Sequence, residues 1–207
     1  MNKVQVGAIA LIAILAAAGG LVYYQYFMPN ASGEIYYTIL VTYSDGTSET
    51  LDQTPAVIPP FSVSPLAITY NNKQVSGLTF NLYAKLDSAK PITAWQILGV
   101  QHLEAYLNGQ QVPATGSTKT IQGSGGAAVN GQAIFLSSTA LTSEQIATAL
   151  QTSGGAGTWA FQCVASLNAA FTFSDGEIRN VNALAPVAGI SYNFDGTLSI
   201  AINPANI

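Results

Sequence analysis

Histidine, cysteine and paired carboxylates carry most protein chemistry, and this chain of 207 residues offers one histidine, His102, and one cysteine, Cys163. A Ser-His-Asp triad would have to use His102. That residue alternates with Leu103 and falls beside Glu104 on the polar side of an extended run, where it reads as a surface imidazole. No serine sits in a Gly-x-Ser-x-Gly elbow. Blue copper needs two histidines and a cysteine, and zinc usually takes three or four N or S ligands, so one His and one Cys cannot build either site within the chain. Cys163 stands on an apolar stripe between Phe161 and Ala165. It reads as a buried thiol with no base to activate it. Being the only cysteine, it forms no internal disulfide.

The carboxylates point to turns. Asp45, Asp175 and Asp195 each precede a glycine, the position where Asp serves by local hydrogen bonds. Asp175 and Glu177 offer two oxygen ligands, short of what calcium requires. A glycosidase pair is assembled in three dimensions, and nothing in the sequence singles one out. The glycine-rich runs lack Gly-Lys-Ser/Thr, so no phosphate loop is predicted. The expectation is a non-enzyme without a cofactor or metal.

The elements that position these residues are strands. Ile35, Tyr37, Ile39, Val41 and Tyr43 share one face of an alternating run, with Tyr36, Thr38, Leu40 and Thr42 on the other. Leu78 to Leu86 repeats the pattern, with Thr79, Asn81, Tyr83 and Lys85 opposite. The longest stripe runs from Trp159 to Phe173. Asp-Gly and Asn-Gly pairs at 45–46, 108–109, 130–131, 175–176 and 195–196 read as hairpin turns, because Gly accepts the positive φ they need. Three of them share an (S/F)-D-G pattern without a fixed period. One short helix is predicted after Thr142-x-x-Gln145, which has capping-box form, and Gly154-Gly155 would end it. Pro55 to Pro65 reads as an extended connection or sheet edge, and Gly116 to Gly126 as a loop.

The fold class is therefore all-β: an immunoglobulin-like or jelly-roll-like β-sandwich of about eight to ten strands over residues 33–207, with one short crossover helix. A division into two smaller sandwiches near 112–130 is the alternative. Gly157 to Ser166 resembles the strand that carries the second cysteine of immunoglobulin domains; the partner cysteine is missing, so the resemblance implies only the architecture.

Residues 1–28 are predicted to form an N-terminal hydrophobic helix. Val4 to Val22 is interrupted only by Gln5, and no charge occurs from Val4 to Gly33. A helix from Val4 to Phe27 would span about 36 Å, enough for a bilayer core of roughly 30 Å. Tyr23, Tyr24, Tyr26 and Phe27 fall where a membrane-interface aromatic belt would lie. Lys3 on one side and Glu34 on the other place the N-terminus in the cytoplasm and the sandwich outside. Three fates are open: an uncleaved single-pass anchor, a secretory signal cut near Ala16-Ala17-Ala18-Gly19, or a filament-core helix. The last rests on a resemblance to type IV pilins, which lose a short leader and pack this helix in the filament; the implied cut is at Gly7-Ala8. The leader here holds one lysine, and no acidic residue follows at the position bacterial pilins use. Asn30-Ala31-Ser32 is a glycosylation sequon, making Asn30 a modification candidate.

Charged residues make up 8 % of the chain and the net charge is −4, with six cations scattered singly. Phosphate backbones need clustered cations, so nucleic acid is not an expected partner. The expected partners are membrane lipid or neighbouring apolar helices, in a homo- or hetero-oligomer. The reading is a non-catalytic structural or interaction protein of a surface assembly, such as a pilus-like filament, a virion or a cell envelope. Strand edges and Tyr-bearing faces would make its lateral contacts. Alternatives are an accessory single-pass subunit of a membrane enzyme complex, where Gly19-Gly20 would let helices approach closely, and an exterior glycan-binding module using Trp95, Trp159 or tyrosines as stacking platforms.

Overall fold

Alternation of apolar and polar residues has a definite outcome when both sides of a strand find a partner sheet or water, and here it gives two antiparallel sheets. The computed structural model describes residues 31–207 except 56, 58–60, 65–66, 113–116, 129, 153–155 and 194–197. The predicted anchor, with Tyr23, Tyr24, Tyr26, Phe27 and Asn30, lies outside the described residues. So does the Asp195-Gly196 turn. Among the described residues no helix is long and apolar enough to cross a membrane.

The strands are β1 (Ala31–Tyr43), β2 (Ser48–Leu51), β3 (Phe61–Ser64), β4 (Ala67–Tyr70), β5 (Lys73–Ser88), β6 (Ile92–Leu107), β7 (Gln110–Gln111), β8 (Ser117–Gly125), β9 (Ala133–Thr142), β10 (Thr158–Phe173), β11 (Ile178–Leu184), β12 (Val187–Asn193), β13 (Leu198–Asn203) and β14 (Ala205–Asn206). Sheet 1 has the order β14-β1-β5-β4-β3, with β2 also on β1 and β9 on β5. Sheet 2 has the order β13-β12-β10-β6-β7, with β11 also on β10 and β8 on β6. The expected eight to ten strands become fourteen among the described residues. The surplus comes from two-residue strands such as β7 and β14, too short to show a period, and from β8. The latter occupies most of the stretch that reads as a loop. It pairs with β6 from Trp95↔Gly125 to Leu103↔Ser117, and only Ile121 of its nine residues is buried.

The three long stripes behave as their alternation requires. Ile35, Tyr37 and Ile39 of β1 are fully buried, as are Phe80, Leu82 and Ala84 of β5 and Trp159, Phe161, Cys163, Ala165 and Phe171 of β10. β10 and β6 form the spine of sheet 2, in register from Trp159↔Leu107 to Phe173↔Ile92. The helix α1 (Ser143–Thr152) carries the chain from β9 in sheet 1 to β10 in sheet 2. Its capping box is formed reciprocally: the Thr142 N–H donates to Gln145 Oε1 at 2.9 Å, and the Gln145 N–H donates to Thr142 Oγ1 at 3.3 Å. Ile146, Ala149 and Leu150 bury its inner side.

The two described Asp-Gly turns with a preceding serine prove to be one recurring module, once in each sheet. The Gly46 N–H donates to the Tyr43 carbonyl, and the Gly176 N–H to the Phe173 carbonyl, both at 3.0 Å. Both glycines have positive φ, +83° and +85°. Asp45 Oδ1 accepts from the Thr47 N–H at 2.9 Å, and Asp175 Oδ1 from the Glu177 N–H at 3.1 Å. A lysine at the head of the neighbouring long strand closes each turn: Lys73 lies 3.0 Å from Asp45, and Lys90 lies 2.6 Å from Asp175. The residue after each lysine, Gln74 or Pro91, accepts from the turn serine N–H through its carbonyl, and the hydroxyl three places after the lysine, Ser76 or Thr93, donates to the Thr42 or Thr172 carbonyl.

Candidate functional site

The residues singled out for chemistry are scattered over the sandwich. His102 stands on the outer face of sheet 2, its Nδ1 3.0 Å from Thr118 Oγ1. Beside it, Glu104 accepts from the Tyr106 hydroxyl at 2.6 Å and from Gln162 Nε2 at 3.1 Å. These bonds, Tyr106 first, hold its carboxyl below the usual carboxylate range against a smaller effect of burial. The Thr118 hydroxyl is the group that the structure sets against the imidazole, and both are held on paired strands of the exposed sheet face.

Cys163 is fully buried between the sheets. Burial pushes its thiol up to about 11, although Gln101 and Tyr37 pull the other way. Gln101 Nε2 donates to the sulfur at 3.0 Å. The Tyr37 hydroxyl lies beside the same sulfur without a hydrogen bond of good geometry, and burial raises its pKa. The result is an enclosed polar trio in an apolar core, where a thiolate is disfavoured.

Asp175 and Glu177 do come together, and Lys90 Nζ sits between them at 2.6 and 2.9 Å. The ammonium takes the place a cation would occupy. Among the described residues no group of three or more His, Cys, Asp or Glu converges as a metal site. Trp159 is fully buried and stacks on Phe161 with centroids 6.0 Å apart. Trp95 is half-buried and lies over β8, where a β-carbon on Gly125 would meet its indole at 2.6 Å. Neither tryptophan is a free platform.

A different place collects recognition chemistry: the outer face of sheet 1. Tyr36 of β1 and Tyr83 of β5 project from the polar sides of their strands and stack with centroids 5.8 Å apart. Phe135 of β9 stands opposite Tyr83 in register and meets it edge-on at 5.6 Å. Phe135 is 57 % exposed. Three neighbouring strands thus carry one cross-strand aromatic row, with Tyr83 in the middle. Beside the row runs a trough of about 720 Å³ lined by Glu34, Tyr36, Thr50, Asp52, Tyr83 and Lys85. Its floor includes Thr38, which is 8 % exposed although it faces outward. Gln53, Thr54 and Pro204 also line it, and the Ile202 N–H donates to Thr54 Oγ1 at 3.0 Å, tying the 52–54 segment to the end of β13. A second hollow of about 240 Å³ shares Glu34 and Lys85 and adds Ser32, Asp87 and Asn206. Partial burial, then Glu34, Tyr83 and Asp52, raise the Tyr36 pKa, so its phenol stays protonated and able to donate.

Sequence reasoning placed Tyr36 and Tyr83 on polar strand faces without linking them. The available signal was an aromatic residue recurring where outward polar residues are expected; the register that stacks the pair joins segments 47 positions apart. No family model matches the chain, and comparison with curated proteins and with solved structures found no match.

Proposed function

We propose that this chain is a non-catalytic structural subunit of a surface assembly, held by its N-terminal segment with the β-sandwich outside the cytoplasm. The observation that carries the reading is the uncharged stretch from Val4 to Gly33, apolar through Val22, joined directly to β1. A segment of that length and composition is stable in a bilayer or in a packed core of like helices. The composition of the sandwich supports the same reading. Charged residues make up 8 % of the chain, and Ser, Thr, Asn and Gln recur at outward positions, so little on the surface changes charge with pH. A lattice subunit facing a variable exterior benefits from that.

Detergent extraction followed by native sizing and intact-mass measurement tests the proposal. A homopolymer of this chain that retains residues from Ala8 onward supports it. A stoichiometric complex with cofactor-bearing partners would instead make the chain an accessory subunit of a membrane enzyme. A freely soluble monomer starting near Gly19 would overturn the anchor.

A further inference from the structure

We infer that the trough on the outer face of sheet 1 is a binding site for a neutral oligosaccharide. The site lies wholly within the sandwich, so the inference does not rest on how the N-terminal segment is held. Three features carry it. The first is the aromatic row. Tyr36 has one side stacked on Tyr83 and ends the row, so its other side is the one available to a ligand in the trough. Pyranose rings present faces of C–H groups that pack on the electron-rich face of an aromatic ring, and tyrosine adds a hydroxyl at the rim.

The second feature is the hydrogen-bonding set. Thr50, Gln53 and the Tyr36 phenol both donate and accept, while Glu34 and Asp52 accept only. Vicinal sugar hydroxyls need that mixture: a carboxylate takes two O–H donors at once, and hydroxyl or amide groups answer the remaining donors and acceptors. The third feature is shape. The trough and its neighbouring hollow share Glu34 and Lys85, giving an open, elongated surface suited to a chain of several rings.

Charge narrows the ligand class. Glu34, Asp52 and Asp87 face a single cation, Lys85, leaving a net −2 along the trough. Anionic polymers are repelled, and an apolar segment would strand the carboxylates. A cationic peptide is the competing occupant. Salt separates the two, because attraction between exposed charges is screened when the Debye length falls to about 3 Å near 1 M, whereas stacking and neutral hydrogen bonds persist.

The test uses the full-length chain in detergent. Immobilised neutral hexasaccharides of glucose, mannose, galactose and N-acetylglucosamine are the probes, with hexalysine beside them. At least one hexasaccharide is expected to bind, with affinity unchanged at high salt. Tyr36→Ala and Asp52→Asn should each weaken it about tenfold or more, while Trp95→Ala leaves it unchanged. Asp52→Asn lies on an exposed segment and keeps the test valid if Tyr36→Ala unfolds. Binding to none of the sugars, equal binding by both trough variants, or binding only to hexalysine that disappears at high salt would each overturn the inference.

Discussion

Replacing Gln101 by methionine should stabilise the sandwich. Gln101 is fully buried on β6, and of its four hydrogen-bonding capacities one is used, the 3.0 Å donation from Nε2 to the Cys163 sulfur. Its Oε1 is buried without a partner. An unpartnered buried carbonyl costs about 1–3 kcal/mol, whereas a neutral hydrogen bond contributes about 1 kcal/mol, and sulfur is a weak acceptor at the low end of that scale. Methionine is close in length, unbranched and adaptable in a core, so little cavity or overlap penalty is added. The balance is a gain of about 1 kcal/mol, or about 2–4 °C in melting temperature for a domain of this size. Urea unfolding measures it as a higher midpoint at unchanged slope. Cys163→Ala should move the other way by about 1–3 kcal/mol, because it leaves the whole amide buried and unpaired. A loss of about 2 kcal/mol in Gln101→Met would refute the reasoning. It would mean that Oε1 is bonded in solution, for example through a buried water shared with the Tyr37 hydroxyl.

Asp45 is held down to about 2, first by the Thr47 hydroxyl and N–H and then by Lys73, so its contribution is complete above the unfolded value near pH 3.9 and fades as pH falls through about 2. Melting curves of the wild type and Asp45→Asn should therefore differ at pH 5 and converge near pH 2. Gly99→Ala should destabilise by about 1–3 kcal/mol in the same urea assay, because its β-carbon would run into the Ser166 carbonyl and lie 2.8 Å from Leu167 Cδ2. Gly46→Ala and Gly176→Ala have open space around them and positive φ, so each should cost about 1–2 kcal/mol through backbone strain alone, with equal values in denaturant titrations. Cys163 should react with a thiol reagent at pH 8 only as fast as the chain unfolds, and mild urea should accelerate it; fast labelling without urea would contradict its burial.

The parts of the fold that were legible are those in which a local pattern decides the outcome. β1, β5 and β10 carry unbroken period-two stripes, and each buries its apolar side completely or nearly so. The capping box at Thr142 needs only four consecutive residues, and both of its bonds form. β8 was hidden because glycine and lysine weaken strand propensity. Its glycines are favoured by what they face: a β-carbon at 125 would run into the Trp95 indole at 2.6 Å, and one at 123 would crowd Leu136 at 3.0 Å. The trough was hidden for a related reason. Tyr36, Tyr83 and Phe135 are ordinary outward residues one at a time, and only the registers β1–β5 and β5–β9 make them a row. Local patterning specifies which way a side chain points, and long-range register specifies whom it meets.

The repeated turn module shows how far that distinction reaches. Thr-Tyr-Ser-Asp-Gly at 42–46 and Thr-Phe-Ser-Asp-Gly at 172–176 are visible as a likeness in the chain. Their lysines are not, because Lys73 follows its turn whereas Lys90 precedes its own. The order is reversed between the sheets, so no fixed period links the two halves, and a tandem duplication of one segment does not produce the pattern. A physical requirement does. In each sheet the turn sits at the end of a long strand whose neighbour has a lysine at its start (Lys73 of β5) or two residues before it (Lys90, ahead of β6), and the exposed Asp carboxylate and the serine N–H both need partners at that corner. A lysine followed by a free carbonyl, and a hydroxyl three residues further on, meets all of these demands from one neighbouring strand. The recurrence therefore follows from the geometry of a sandwich corner, and it holds the ends of both long strand pairs, β1–β5 and β10–β6, by the same bonds.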